Sequence, residues 1–168
     1  MQEQALEQHR WLRRLRGEWH YESTALMGHF DAPQKVSGVE SVRSLGELWV
    51  VAGGHGGLPG GGEATTVMTL GFDPLKKRFV GTWVGSMVTW LWVYDGTLDP
   101  TGRVLTLDTE GPSPGDAGKL SRYRDVIEWL DDDHRVLTSH ALRDGHWTAM
   151  MISHYHRTSR PTLKEQRP

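Results

Sequence analysis

The sequence contains no cysteine. Disulfides, thiolate nucleophiles and zinc sites built on thiolates are therefore excluded. Charge of one sign is lacking too: 19 Lys and Arg stand against 21 Asp and Glu, a formal net charge of −2. That balance offers no electrostatic footprint for nucleic acid or an anionic membrane, and neither is expected as a partner. The N-terminal stretch MQEQALEQHRWLRRLRGEW has no apolar run long enough for a signal peptide or an anchor, so a cytoplasmic location is expected. The glycine-rich run Gly53 to Glu63, GGHGGLPGGGE, lacks the Gly-Lys-Ser/Thr ending of a phosphate-binding loop and opens no helix. It reads as a hairpin loop at the mouth of the fold.

What is abundant is tryptophan, with 8 residues, and glycine, with 20. A chain of 168 residues fits one domain, and a domain near that size buries roughly 70% of its unfolded-chain surface. The densest stretch is Phe79 to Asp95, FVGTWVGSMVTWLWVYD. Steps of two place Phe79, Gly81, Trp83, Gly85 and Met87 on one face, and Trp90, Trp92 and Tyr94 on another. That is the period of a strand. Two such strands need a large apolar interior to face.

One short helix is expected over 3–16, with Ala5, Leu12 and Leu15 on one side and Gly17 as its C-terminal cap. Arg10, Arg13, Arg14 and Arg16 fit its solvated last turns. Beyond it, alternating runs predict strands at about 19–27, 35–44, 47–54, 64–72, 78–87, 90–98, 103–109, 120–130, 134–142 and 147–157. Asp73-Pro74, Asp95-Gly96, Asp99-Pro100-Thr101-Gly102 and Arg143-Asp144-Gly145 punctuate them, and Asp131 to Asp133 reads as a hairpin tip. Gly111 to Gly118 reads as a second turn-rich loop. About ten strands joined by short turns describe an antiparallel up-and-down meander, whose exposed edges disappear on closure into a barrel. A two-sheet sandwich is the alternative. The reading is thus all-β: a helix over 1–18 capping the barrel, one barrel domain over 19–157, and a polar, disordered tail over 158–168.

At Gly17-Glu18-Trp19 the chain resembles the start of the calycin superfamily of lipocalin-like barrels, in which a short helix precedes Gly-x-Trp. The resemblance implies that Trp19 plugs the closed end and that Arg157 packs over it, making Gly17, Trp19 and Arg157 the barrel-closing set. More of the chain resembles the domain of unknown function 1579 family, bacterial proteins usually placed among the calycins. The matching residues are His9-x-Trp11-Leu12, Gly17-Glu18-Trp19, Gly71-Phe72-Asp73, Phe79-Val80-Gly81-Thr82-Trp83, Ser86-Met87, Leu91-Trp92-x-Tyr94-x-Gly96, Leu98-Asp99, Arg124-Asp125-Val126, Met151 and Tyr155-x-Arg157. The family implies a fold and no established activity.

If Trp19 points inward, so do Tyr21, Ser23, Ala25 and Met27. With Trp83, Met87, Trp90, Trp92, Tyr94, Met151 and Tyr155 they form either a solid aromatic core or the wall of a cavity for a small apolar or aromatic molecule. Val80, Thr82, Val84, Leu91 and Val93 fall on the opposite face, which is apolar enough to suggest a homodimer with a filled barrel. Nine histidines raise the question of a metal. His154 and His156 share a face, but it is the outer one by the parity that puts Arg157 inside, and no metal is expected. His140 and His146 are expected to face solvent. Haem-binding barrels resembling nitrobindins carry a glycine-spaced motif after the first tryptophan that is missing here, so no cofactor is expected. An acid or base within the pocket is a lesser possibility, with Ser86, Tyr94, Tyr123, Arg124, Asp125, Glu128 and Tyr155 near the interior and an Arg124–Glu128 pair sharing strand parity.

Overall fold

The computed structural model describes residues 3–27, 31–116 and 118–160. Ten strands follow one another without interruption: β1 (Gly17–Ala25), β2 (Gln34–Leu45), β3 (Trp49–Gly57), β4 (Glu63–Asp73), β5 (Arg78–Gly85), β6 (Trp92–Leu98), β7 (Val104–Pro112), β8 (Leu120–Asp131), β9 (His134–Arg143) and β10 (His146–Ser159). Each pairs antiparallel with the next, and β1 closes on β10, pairing Trp19 with Arg157 and Tyr21 with Tyr155. A closed antiparallel meander leaves no unpaired edge, so the barrel, not the sandwich, is the outcome.

The helix is shorter than its sequence pattern suggests. An α-helix, α1, spans Glu7–Leu12, and Arg13–Leu15 forms a 3₁₀ turn. Gly17 is not a helix cap but the first residue of β1, with φ of 125°. His9 fixes the helix to the barrel. Its Nδ1 accepts the Leu6 amide at 2.9 Å, which leaves Nε2–H to donate to the Phe72 carbonyl at 3.1 Å. Trp11 adds a bond from its indole to the Gly102 carbonyl at 2.8 Å. Leu12 and Leu15 are buried beneath the barrel.

The two glycine-rich loops are smaller than expected. Gly53 to Gly57 belong to β3, so that only residues 58–62 form the hairpin connection. Gly111 and Pro112 end β7. At the C-terminus β10 runs to Ser159, and 161–168 of the expected tail lie outside the described residues. Among the described residues no helix is long and apolar enough to cross a membrane.

Candidate ligand cavity

The chain alternates between the two ends of the barrel, so one end gathers α1 and the connections 46–48, 74–77, 99–103 and 132–133. This end is plugged. Trp19 is 1% exposed and packs 6.0 Å from Trp129, and its indole donates to the Leu15 carbonyl at 2.8 Å. The Arg157 guanidinium lies 4.1 Å over the Trp19 ring. It also donates to the Arg14 carbonyl at 2.9 Å, to the Arg16 carbonyl, and to Asp133 at 2.9 Å. One arginine thereby satisfies the Arg14 carbonyl of the 3₁₀ turn and that of Arg16 just after it, while its cation faces an aromatic ring. Arg14 covers Trp129 in the same manner, 4.5 Å from its ring.

Above this floor the barrel holds a cavity of about 440 Å³, within the range of small-molecule pockets. Tyr21, Met27, Trp83, Met87 and Trp92 line it, as do Tyr94, Met151 and Tyr155. Trp90 does not. It lies in the connection after β5, outside the strand alternation, and its indole donates to the Glu110 carbonyl at 3.1 Å. Met150 joins the wall beside Met151, because a register shift between Ala149 and Met151 turns both side chains toward the interior. The glycines of β2 and β3 make room for an aromatic ring: a Cβ at Gly38 or Gly56 would collide with the Tyr21 hydroxyl. Gly85 leaves no free space beside Trp83, since a Cβ there would lie 2.6 Å from the Met87 sulfur and 2.7 Å from the Trp83 ring.

Two polar clusters interrupt the apolar wall. In one, Arg135 of β9 pairs with Glu40 of β2, while its guanidinium lies 4.0 Å from the Tyr155 ring and 4.6 Å from Trp19. Burial, and then the Glu40 charge, raise the Tyr155 hydroxyl far above the usual tyrosine range. No spacing in the sequence marks this pair, since Glu40 and Arg135 are single charges among others, Lys35 and Arg43 on β2 and Arg143 on β9. In the other cluster the Tyr94 hydroxyl donates to Asp125 Oδ2 at 2.5 Å. Burial raises the Asp125 carboxyl above its ordinary value, and hydrogen bonds with Ser139 and Tyr94 oppose that rise. Burial likewise holds Tyr94 well above the usual range. Between the clusters the Ser23 and Ser153 hydroxyls bond each other at 2.6 Å.

Other sequence candidates lie elsewhere. Arg124 and Glu128 do not pair: Arg124 bonds Asp108 at 2.7 Å on the outer face and covers Trp147 at 4.1 Å, while Glu128 is exposed. Their neighbour Asp125 takes the inward place because strand parity alternates. His154 and His156 are exposed on the outer wall, with His134 stacked 4.1 Å from His156 and bonded to His154 at 3.0 Å. Among the described residues no group of three His, Asp or Glu side chains is arranged to hold a metal ion. His146 is exposed, whereas His140 is half-buried. Ser86 sits at the rim, its hydroxyl accepting the Thr65 amide at 3.0 Å.

A ten-strand antiparallel barrel with a tryptophan-plugged floor and an interior cavity is a lipocalin-like fold. The chain belongs to the family described as protein of unknown function (DUF1579), whose pattern matches residues 4–157. No curated protein matches the sequence. Among solved structures it is similar to the S-type phycobiliprotein lyase CPES from Guillardia theta, with a TM-score of 0.52 and 15% identity over 90% of this chain and 93% of that one. It is also similar to EF1p2_mFAP2b bound to DFHBI, with a TM-score of 0.49 and 12% identity over 89% of this chain and 98% of that one. A redesigned beta barrel, b11L5F_LGL, gives a TM-score of 0.47 and 11% identity over 89% and 96% of the two chains. At 15% identity the likeness to the lyase is one of fold.

Proposed function

We propose that this protein binds a small apolar or aromatic molecule inside the barrel. The observation that supports this reading is the cavity of about 440 Å³ above the Trp19 floor. A filled barrel has no such space. Flat aromatic faces from Trp83, Trp92 and Tyr21, with flexible methionines at the rim, suit a planar or apolar guest. Binding is expected to quench tryptophan fluorescence with a panel of apolar aromatic probes, and Trp83→Ala is expected to abolish the response. Silence across a broad panel would overturn the reading.

A second reading rests on the outer wall. Val84, Leu91 and Val93 are 41%, 52% and 58% exposed on adjacent β5 and β6 and the loop between them. An apolar outer stripe of this kind suits self-association into a homodimer. Mass measurement in solution would then give twice 19.0 kDa, and Val84→Lys would split the pair. A monomer at micromolar concentration would overturn it.

A further inference from the structure

The cavity is not uniformly apolar, and its charges do not cancel. Among the described lining residues the charged side chains are Glu40, Asp125 and Arg135. Arg135 is committed to Glu40, directly bonded and 2% exposed. Asp125 is hydrogen-bonded by hydroxyls only, those of Tyr94 and Ser139, and the one charge that acts favourably on it comes from His140, which does not line the cavity. A carboxylate largely withdrawn from water, with no ion pair of its own, is costly unless a cation approaches it.

A second, independent observation sits beside it. Thr109 of β7 lines the same cavity, is 8% exposed, and its Oγ1 has no hydrogen-bond partner. It pairs across the β7–β8 ladder with Tyr123, two residues from Asp125 on the same inward face. Buried hydroxyls without partners are rare in folded proteins and mark places where a partner is missing. Around both groups stand aromatic rings: Trp92 and Tyr123 meet edge to face at 5.1 Å, and Tyr94 is bonded to Asp125 itself. A half-buried carboxylate held only by hydroxyls, an orphan hydroxyl and aromatic faces are the elements that recognise an organic cation. The carboxylate neutralises it, the hydroxyl accepts one of its N–H groups, and the ring faces attract it through their quadrupoles.

From this juxtaposition of Asp125, Thr109 and the Trp92–Tyr123 aromatic pair, we propose that the cavity selects an aromatic or apolar molecule bearing one protonated amine. This inference rests on the binding reading above and specifies its ligand class. The amine enters the wall at Asp125 and Thr109, and the apolar body occupies the space toward Trp83 and the methionine rim.

The test compares three probes of nearly the same shape: naphthylethylamine, naphthylethanol and naphthylacetate, titrated calorimetrically into the purified full-length protein near neutral pH. The amine is expected to bind about tenfold or more tighter than the alcohol, the yield of one hydrogen bond to a charged group, and the acetate weakest. Asp125→Asn keeps the side-chain shape and is expected to bring amine and alcohol to within about threefold of each other, leaving the alcohol unchanged. If that variant does not fold, the ranking of the three probes on the unmodified protein decides alone. Equal binding of amine and alcohol, tighter binding of the acetate, or a preference that survives in Asp125→Asn overturns the inference while leaving cavity binding intact. Failure of all three probes to bind overturns this inference together with the reading beneath it.

Discussion

Glu40 and Arg135 form an ion pair inside the barrel, with Arg135 2% exposed and sandwiched between Tyr155 and Trp19. The two sit 95 residues apart in sequence. Breaking such a pair from one side leaves a buried charge uncompensated, at a cost of about 3–5 kcal/mol. Glu40→Gln and Arg135→Met are each expected to lower the urea midpoint strongly. The double replacement Glu40→Leu with Arg135→Met is expected to recover much of the loss. A double variant as unstable as the sum of the singles would show that the two residues act independently.

The floor offers a simpler forecast. Trp19 is fully packed between Trp129 and Arg157. Trp19→Ala is expected to cost about 3–5 kcal/mol through lost burial and the cavity left behind. Chemical denaturation with an unchanged slope checks it. A loss below about 1 kcal/mol would show that the floor collapses around the gap.

Gly111 lies against the Trp92 indole, and the three atoms nearest to a Cβ placed there all belong to that ring. Gly111→Ala is therefore expected to push the Trp92 indole into the cavity and weaken binding of an aromatic probe several-fold. The accompanying stability loss from overpacking should stay near 1–3 kcal/mol, about the usual cost of such a change. Trp92→Ala in the same background should relieve the stability loss. Unchanged probe affinity in Gly111→Ala would remove Trp92 from the wall of the binding site.

Asp125 gives a pH signature. Burial raises its carboxyl in the folded state, so the folded protein holds that proton more tightly than the unfolded chain. Its contribution is fully present below the unfolded carboxylate value of about 3.9 and is lost as pH rises through the raised folded value. Asp125→Asn removes this dependence. The stability difference, unmodified protein minus variant, is expected to fall as pH rises through that window, read from urea midpoints. A difference that stays flat would mean that burial does not perturb this carboxyl.

His134 works with the opposite sign. Burial, then the neighbouring His156 and His154, lower its value below the ordinary histidine range. Its contribution is present above about pH 6.5 and is lost as pH falls through the lowered folded value. His134→Gln should make the protein less sensitive to acidification in that interval, measured by thermal unfolding from pH 7 downward. Equal sensitivity in variant and unmodified protein would place the acid response elsewhere.

The alternation of residues marked about ten strands and which side chains share a face, because in a meander the neighbours in sequence are the neighbours in space; that Tyr21, Trp83, Trp92, Tyr94 and Tyr155 face inward is visible only in the closed barrel. Trp90 marks the limit of that logic. Alternation assigns it to the wall, but the connection after β5 breaks the strand and turns its indole to the Glu110 carbonyl. Gly53 to Gly57 show the same limit from the other side, since they look like a loop yet pair with β2 and β4 as strand, and only at Gly56 does the Tyr21 hydroxyl fill the missing side-chain space. Only tertiary structure decided that the barrel keeps a cavity, because side-chain volumes read along the chain do not say how far apart opposite walls stand. It alone joined Glu40 to Arg135 and left Asp125 bonded to hydroxyls and not to an arginine, because electrostatic pairing depends on distance across the barrel and leaves no period in the sequence.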